Sequence, residues 1–196
     1  MSRPILTRVL AQTENRIAPD IYAGVGSRET PTDILSMMTK IASILAAHGF
    51  RASTGDAAGA DAAFRAGDAQ AIVYRARDAT PTTISIAHEL HPNPAALTDF
   101  TVKLMARNTN QVFGRDLSFR VAFLICWTPD GCEDHRTRSR ATGGTGQAIS
   151  LASLAGRPVF NLKREDALAR LAAHVETTTP TAAAALRSAF GGVRAA

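Results

Sequence analysis

Apolar residues in this chain alternate between short unbroken runs and longer stretches with helical spacing. Ile21-Tyr22-Ala23 is the first run and ends at a glycine turn, the pattern of a strand feeding a loop. Ile34, Leu35, Met38, Ile41, Ala42 and Leu45 then recur at intervals of three and four, one face of a helix. Thr30 is expected to cap that helix, Pro31 to open it and Asp33 to favour its positive end. Gly49 is the expected stop. Residues 50–53 read as a second strand, 57–67 as an alanine-rich helix and 71–74 as a third strand. Prolines punctuate 75–93, with a short helix over 84–90, and 99–113 reads as a helix ending at Gly114. The most apolar run, 121–127, predicts a central strand buried on both faces. A polar loop, a helix from Gly146 to Leu154, a strand over 158–162 and a helix over 165–176 follow. A threonine-rich linker and a short C-terminal helix close the chain.

Strands alternating with helices imply parallel pairing through right-handed crossovers. The expected fold is a Rossmann-like, doubly wound α/β domain of about five mainly parallel strands with helices on both faces. Its ligand belongs at the carboxyl ends of the strands. The expected organisation is an N-terminal arm or leading helix over 1–19, the domain over 20–176 and a C-terminal extension over 177–196.

Composition narrows the partners. The chain has 196 residues, 45% hydrophobic and 20% charged, enough for one well-buried core. Its net charge of +5 favours polyanions, either nucleic acid or a phosphorylated ligand. The first 20 residues carry scattered charge without an apolar signal region, and no apolar stretch approaches membrane-spanning length. A cytoplasmic protein without membrane contact is expected. Cys126 lies in the apolar run and Cys132 in the polar loop. Neither a zinc site nor a disulfide is expected, and no histidine spacing points to a metal.

Three glycine clusters follow predicted strands. In Gly24-Val25-Gly26-Ser27-Arg28, amides at a helix start, the Ser27 hydroxyl and the Arg28 guanidinium suit phosphate. The cluster is neither a dinucleotide fingerprint, since Glu29 stands at the third glycine position, nor a P-loop, since no Gly-Lys-Ser/Thr follows. The second cluster is Ser53-Thr54-Gly55-Asp56-Ala57-Ala58-Gly59-Ala60-Asp61. Here Asp56 either caps a helix or serves chemistry, and Asp61 either braces the loop or meets a ribose hydroxyl. The third, Thr142-Gly143-Gly144-Thr145-Gly146-Gln147, is a candidate anion nest. The helix-borne pair Arg107-Asn108 either reaches the pocket or is simply solvated. The loop of residues 130–140, with three arginines and His135, either folds over a phosphate or stays solvated.

The order of these pieces resembles the SLOG superfamily, and within it the Smf/DprA-like proteins (DNA-processing protein A). The resemblance rests on Gly26-Ser27-Arg28, the segment from Ser53 to Asp61, Arg107-Asn108, the run 121–127, Gly144-Thr145, Ala152, and Gly156-Arg157-Pro158-Val159-Phe160. It spans 22–162. The compact form is similar to small DprA-like proteins of phages and prophages. The resemblance implies a phosphate-binding pocket for a nucleotide or an ADP-ribose-like molecule, with no cofactor, and self-association as a dimer. It offers two other roles. One is a nucleotide N-glycosidase like the LOG phosphoribohydrolases, with Asp56 or Asp61 catalytic. The other is single-stranded DNA binding as a recombination mediator. Ala141-Thr142-Gly143-Gly144-Thr145-Gly146 lacks the proline of the LOG loop, and residues 147–150 lack its acid.

Overall fold

The computed structural model describes residues 4–191. In chain order the elements are α1 (Ile5–Thr13), β1 (Ile17–Ala18), β2 (Ile21–Gly24), α2 (Thr32–Ala47), β3 (Arg51–Gly55), α3 (Ala60–Gly67), β4 (Ile72–Tyr74), α4 (Pro81–Leu90), α5 (Asp99–Phe113), β5 (Arg120–Val121), β6 (Leu124–Cys126), α6 (Gly146–Leu154), β7 (Val159–Asn161), α7 (Ala167–Glu176) and α8 (Pro180–Phe190). Five strands form one parallel sheet in the order β4-β3-β2-β6-β7. The chain winds outward from β2 to β4, then returns to the other side of β2 for β6 and β7. This is the doubly wound, Rossmann-like arrangement expected from the alternation of runs.

Alternate strand residues feed two separate cores, because successive side chains leave a strand on opposite faces. Tyr22, Phe123, Ile125 and Phe160 pack with α2, α3, α7 and α8. Ala23, Val25, Leu124, Cys126 and Val159 pack with α1, α4, α5 and α6. Tyr22 stacks on Phe123 at 5.4 Å, and Phe160 meets Phe123 edge-on at 5.9 Å. With helices on both sides, the strands can be apolar at every position.

Several boundaries differ from expectation. The run 121–127 is two strands. Arg120–Val121 pairs with β1 in a small sheet of its own, Ala122 donates to Ile21 O (2.7 Å) and Phe123 O accepts the Ala23 amide (2.9 Å), and regular strand resumes at Leu124. Strand β1 itself was not foreseen; two residues carry no readable period. Helix α2 begins at Thr32, with Pro31 extended at the cap position (φ −56°, ψ 148°). The Thr30 hydroxyl does not cap it but donates to Ser27 O at 2.8 Å. Helix α3 begins at Ala60 because Gly59, at φ +75°, breaks helical continuity after residues 56–58. Asp56 is therefore not a helix cap. Cys132 is buried despite its polar neighbours, and both cysteines are free.

The leading helix α1 is fastened from its start. The Glu89 carboxylate of α4 accepts from the amides of Ile5 (2.8 Å) and Leu6 (3.0 Å), two donors that have no partner inside the helix. At the other end, Ala182 and Leu186 of α8 join the core on the α2 face. No helix among the described residues is long and apolar enough to cross a membrane.

Candidate functional site

Strand order reverses between β2 and β6, and in a doubly wound sheet the crevice outside the strand ends at that reversal is the ligand position. The loop leaving β2 opens there. Val25 still donates to Ile125 O of β6 at 3.0 Å. The next three amides, those of Gly26, Ser27 and Arg28, donate to nothing among the described residues. The loop is held by its acceptors instead. Ser27 O receives the amides of Thr30 (3.4 Å) and Ala60 (3.3 Å), and Ser27 Oγ receives the amide of Glu29 (3.0 Å). Gly24 and Gly26 are required by packing: a Cβ on Gly24 would lie 2.6 Å from the Phe64 ring, and one on Gly26 would lie 2.6 Å from Ala60 Cβ.

The loop after β3 is built around one cation. Arg107 Nη1 lies 3.1 Å from Asp61 Oδ2 and 3.3 Å from Asp56 Oδ1. The Arg107 and Asp61 side chains are only 10% and 3% exposed, whereas Asp56 is 44% exposed. Asp61 Oδ2 also accepts the Ala57 amide at 3.3 Å, so Asp61 braces the loop. Burial pushes the Asp61 carboxyl above its ordinary value, and Arg107, the Ala57 amide and Arg65 only partly offset that rise. Gly55 makes room for the pair, since a Cβ there would sit 2.2 Å from both Arg107 Nη1 and Asp61 Oδ2. Arg75 approaches Asp56 from the far side at 4.0 Å.

Asn108, the next residue of α5, reaches the third loop, where its Nδ2 donates to Gly144 O at 3.3 Å. Gly143 has φ 60° and ψ −154°, a conformation essentially reserved for glycine, and it turns the chain into α6. A Cβ on Gly143 or Gly144 would meet nothing within 4 Å, so this stretch faces open space. Thr145 is buried, and Gly146 lies against Arg138, whose Nε would be 2.7 Å from an added Cβ. Arg107 and Asn108 thus tie the second and third loops to one helix, while Gly59 and Ala60 tie the second loop to the first. All three glycine clusters share the carboxyl edge of the sheet.

The loop of residues 130–140 is ordered around Asp130. Its carboxylate accepts from the hydroxyls of Thr128 (2.8 Å), Ser139 (2.5 Å) and Thr142 (2.5 Å) and from the Cys132 amide (3.3 Å). Burial acts to raise the Asp130 pKa, but these donors outweigh it and hold the carboxyl down at about 2. A depressed carboxylate stabilises the fold above its ordinary value of 3.8, and that contribution is lost as pH falls through about 2. The urea midpoint is therefore expected to fall between pH 4 and pH 2, and Asp130→Asn should flatten the slope. Equal slopes in the two proteins would refute this role. Of the loop's three arginines, Arg136 pairs outward with Asp134, and Arg140 is exposed. Arg138 turns inward to Leu90 O (3.3 Å) and Ser150 Oγ (2.9 Å). His135 Nδ1 meets the same Ser150 hydroxyl at 3.0 Å.

Sequence reasoning singled out the loop of residues 130–140 but not the ordering role of Asp130 or the inward turn of Arg138, and it missed Arg65. Arg65 clasps the carbonyls of Gly55 and Ala57, the latter at 3.2 Å. Its only sequence signal is its spacing four residues after Asp61, which places both on one helix face. Gln111 and Gln147 are also enclosed, with both amide ends unpartnered by protein. A cleft of about 160 Å³ lined by Pro19, Asp20, His48, Gly49, Phe50 and Thr178-Thr179 lies at the opposite edge, where β2 and β3 begin. None of the candidate ligand-binding or catalytic residues lines it.

Comparison with family models, curated proteins and solved structures finds no match for this chain.

Proposed function

We propose that the crevice between the β2 and β6 ends binds the phosphate of a nucleotide or an ADP-ribose-like molecule. The observation that carries this is the run of three unspent amides, Gly26, Ser27 and Arg28, at the strand-order reversal and directly ahead of α2. Three adjacent backbone donors without a protein partner can be satisfied together by one anion. Arg28 is exposed beside them and adds a planar charged donor. Gly143 and Gly144 offer a second open stretch of backbone near the start of α6. Arg107, by contrast, is engaged with Asp56 and Asp61 and acts by positioning. The resemblance to SLOG domains favours a nucleotide over an inorganic anion.

Arg28→Ala is expected to weaken binding of adenosine monophosphate or ADP-ribose by about 1.5–3 kcal/mol, the loss of a charged hydrogen bond. Isothermal titration calorimetry of the two proteins measures it, and unchanged affinity would count against the site. The exposed carboxylate of Asp56, held between Arg107 and Arg75, favours a second reading, cleavage of the N-glycosidic bond of a nucleotide. Chromatography of the same mixtures for free base separates hydrolysis from binding.

A further inference from the structure

Helix α5 runs past the sheet edge. Near its C-terminal end it lies against mid-strand, where Gln111 O accepts from Ser53 Oγ at 2.7 Å. At Arg107 it is level with Asp56, just beyond the end of β3. The residues before Arg107 therefore stand above the carboxyl edge. Phe100 is seven residues earlier, which at the helical rise places it about 10 Å further along the axis. Seven residues also return a helix to within about 20° of the same direction, so Phe100 stands over Arg107. Leu104 is offset by about 40° between them. Phe100 is 66% exposed, while Leu104 below it is half-buried.

The geometry points to Phe100 as the surface on which the base of the bound nucleotide stacks. This rests on the phosphate reading above and assigns the place of the ligand's base. The ring stands about 10 Å beyond Arg107 along α5, further from the sheet edge than the loops, which is the side on which the base of a loop-bound nucleotide projects. The flanking groups suit an anion: Lys103 is exposed one turn from Phe100, and Arg28 and Arg75 lie at the level of the loops. An exposed ring whose exposed helix neighbours, Asp99 and Lys103, are charged matches one base face, and stacking of this kind tolerates different bases.

The test is calorimetric titration of wild-type protein and Phe100→Ala with adenosine monophosphate and with ribose 5-phosphate. Because the ring is exposed, the variant should keep its circular dichroism spectrum and melting temperature. The expected result is that Phe100→Ala loses about five- to 100-fold in affinity for adenosine monophosphate, the range set by single-base stacking, and none for ribose 5-phosphate. If Phe100→Ala binds both ligands as the wild type does, or loses both equally, the stacking position is overturned while the phosphate site stands. If the wild type binds neither ligand, the phosphate reading falls and this inference falls with it. If Phe100→Ala abolishes self-association and leaves nucleotide affinity unchanged, the ring belongs to a protein interface, which also overturns the inference.

Discussion

Urea denaturation of Arg107→Met is expected to show a loss of about 3–5 kcal/mol, the cost of stranding a buried charge. Arg107 is the group that lets Asp61 remain ionised inside the protein. The Asp61 side chain is 3% exposed and, once the guanidinium is gone, keeps the Ala57 amide as its hydrogen-bond donor with only Arg65 as a more distant positive charge. Methionine fills much of the same space, so the loss reports the charge more than a cavity. Two further measurements isolate the cause. Adding Asp61→Leu to Arg107→Met should recover a large part of the loss, because the uncompensated carboxylate is removed. The deficit should also shrink in acid. Asp61 has its folded pKa above the ordinary value of 3.8, and removing Arg107 raises it further. A raised carboxyl penalises folding above its folded pKa, and the penalty is relieved as pH falls below it. A loss under about 1 kcal/mol, or a double variant no more stable than the single one, would mean that the pair is not the brace described here.

Gly59→Ala is expected to cost at least about 2 kcal/mol and to weaken phosphate binding with it. Two independent problems meet at this residue. Its φ of +75° is unfavourable for any side chain, and an added Cβ would lie 2.7 Å from both Ser27 O and Arg28 Cα. Both neighbours belong to the loop whose amides are unspent, and both are backbone, so no rotamer change relieves the contact. The loop must move, and the spacing of its donors moves with it. Gly49→Ala is the control: its φ is +88°, but nothing lies within 4 Å of an added Cβ. It should lose stability through backbone strain alone and bind phosphate normally. Thermal melting and phosphate titration of the two variants test this. Equal binding by both would detach Gly59 from the site.

The major elements were readable because their signals are local. Helix α5 matches its expected span: Gly114 marks its end as read, and the structure adds a Thr98 side-chain cap at its start. The same local logic failed at residues 56–58. Alanines there favour helix, yet Gly59 and the Asp61 carboxylate hold them as loop. The candidate site divides in the same way. Glycine clusters after apolar runs are visible as text, because parallel strands put their carboxyl ends together. Which polar residues face one another there is not visible. Arg107 and Asp61 are 46 positions apart, and Asp130 gathers hydroxyls from both directions along the chain.

Periodicity and glycine placement were enough to define a doubly wound sheet and the edge at which its loops gather. Both follow from hydrogen bonding and handedness that every L-peptide chain obeys. The roles of individual charges emerged only after folding: Arg107 is a buried brace and Asp56 an accessible carboxylate, while Arg138 is an inward strut. A charge acquires its role from its distance to partners and its exclusion from water, and both are properties of the packed molecule.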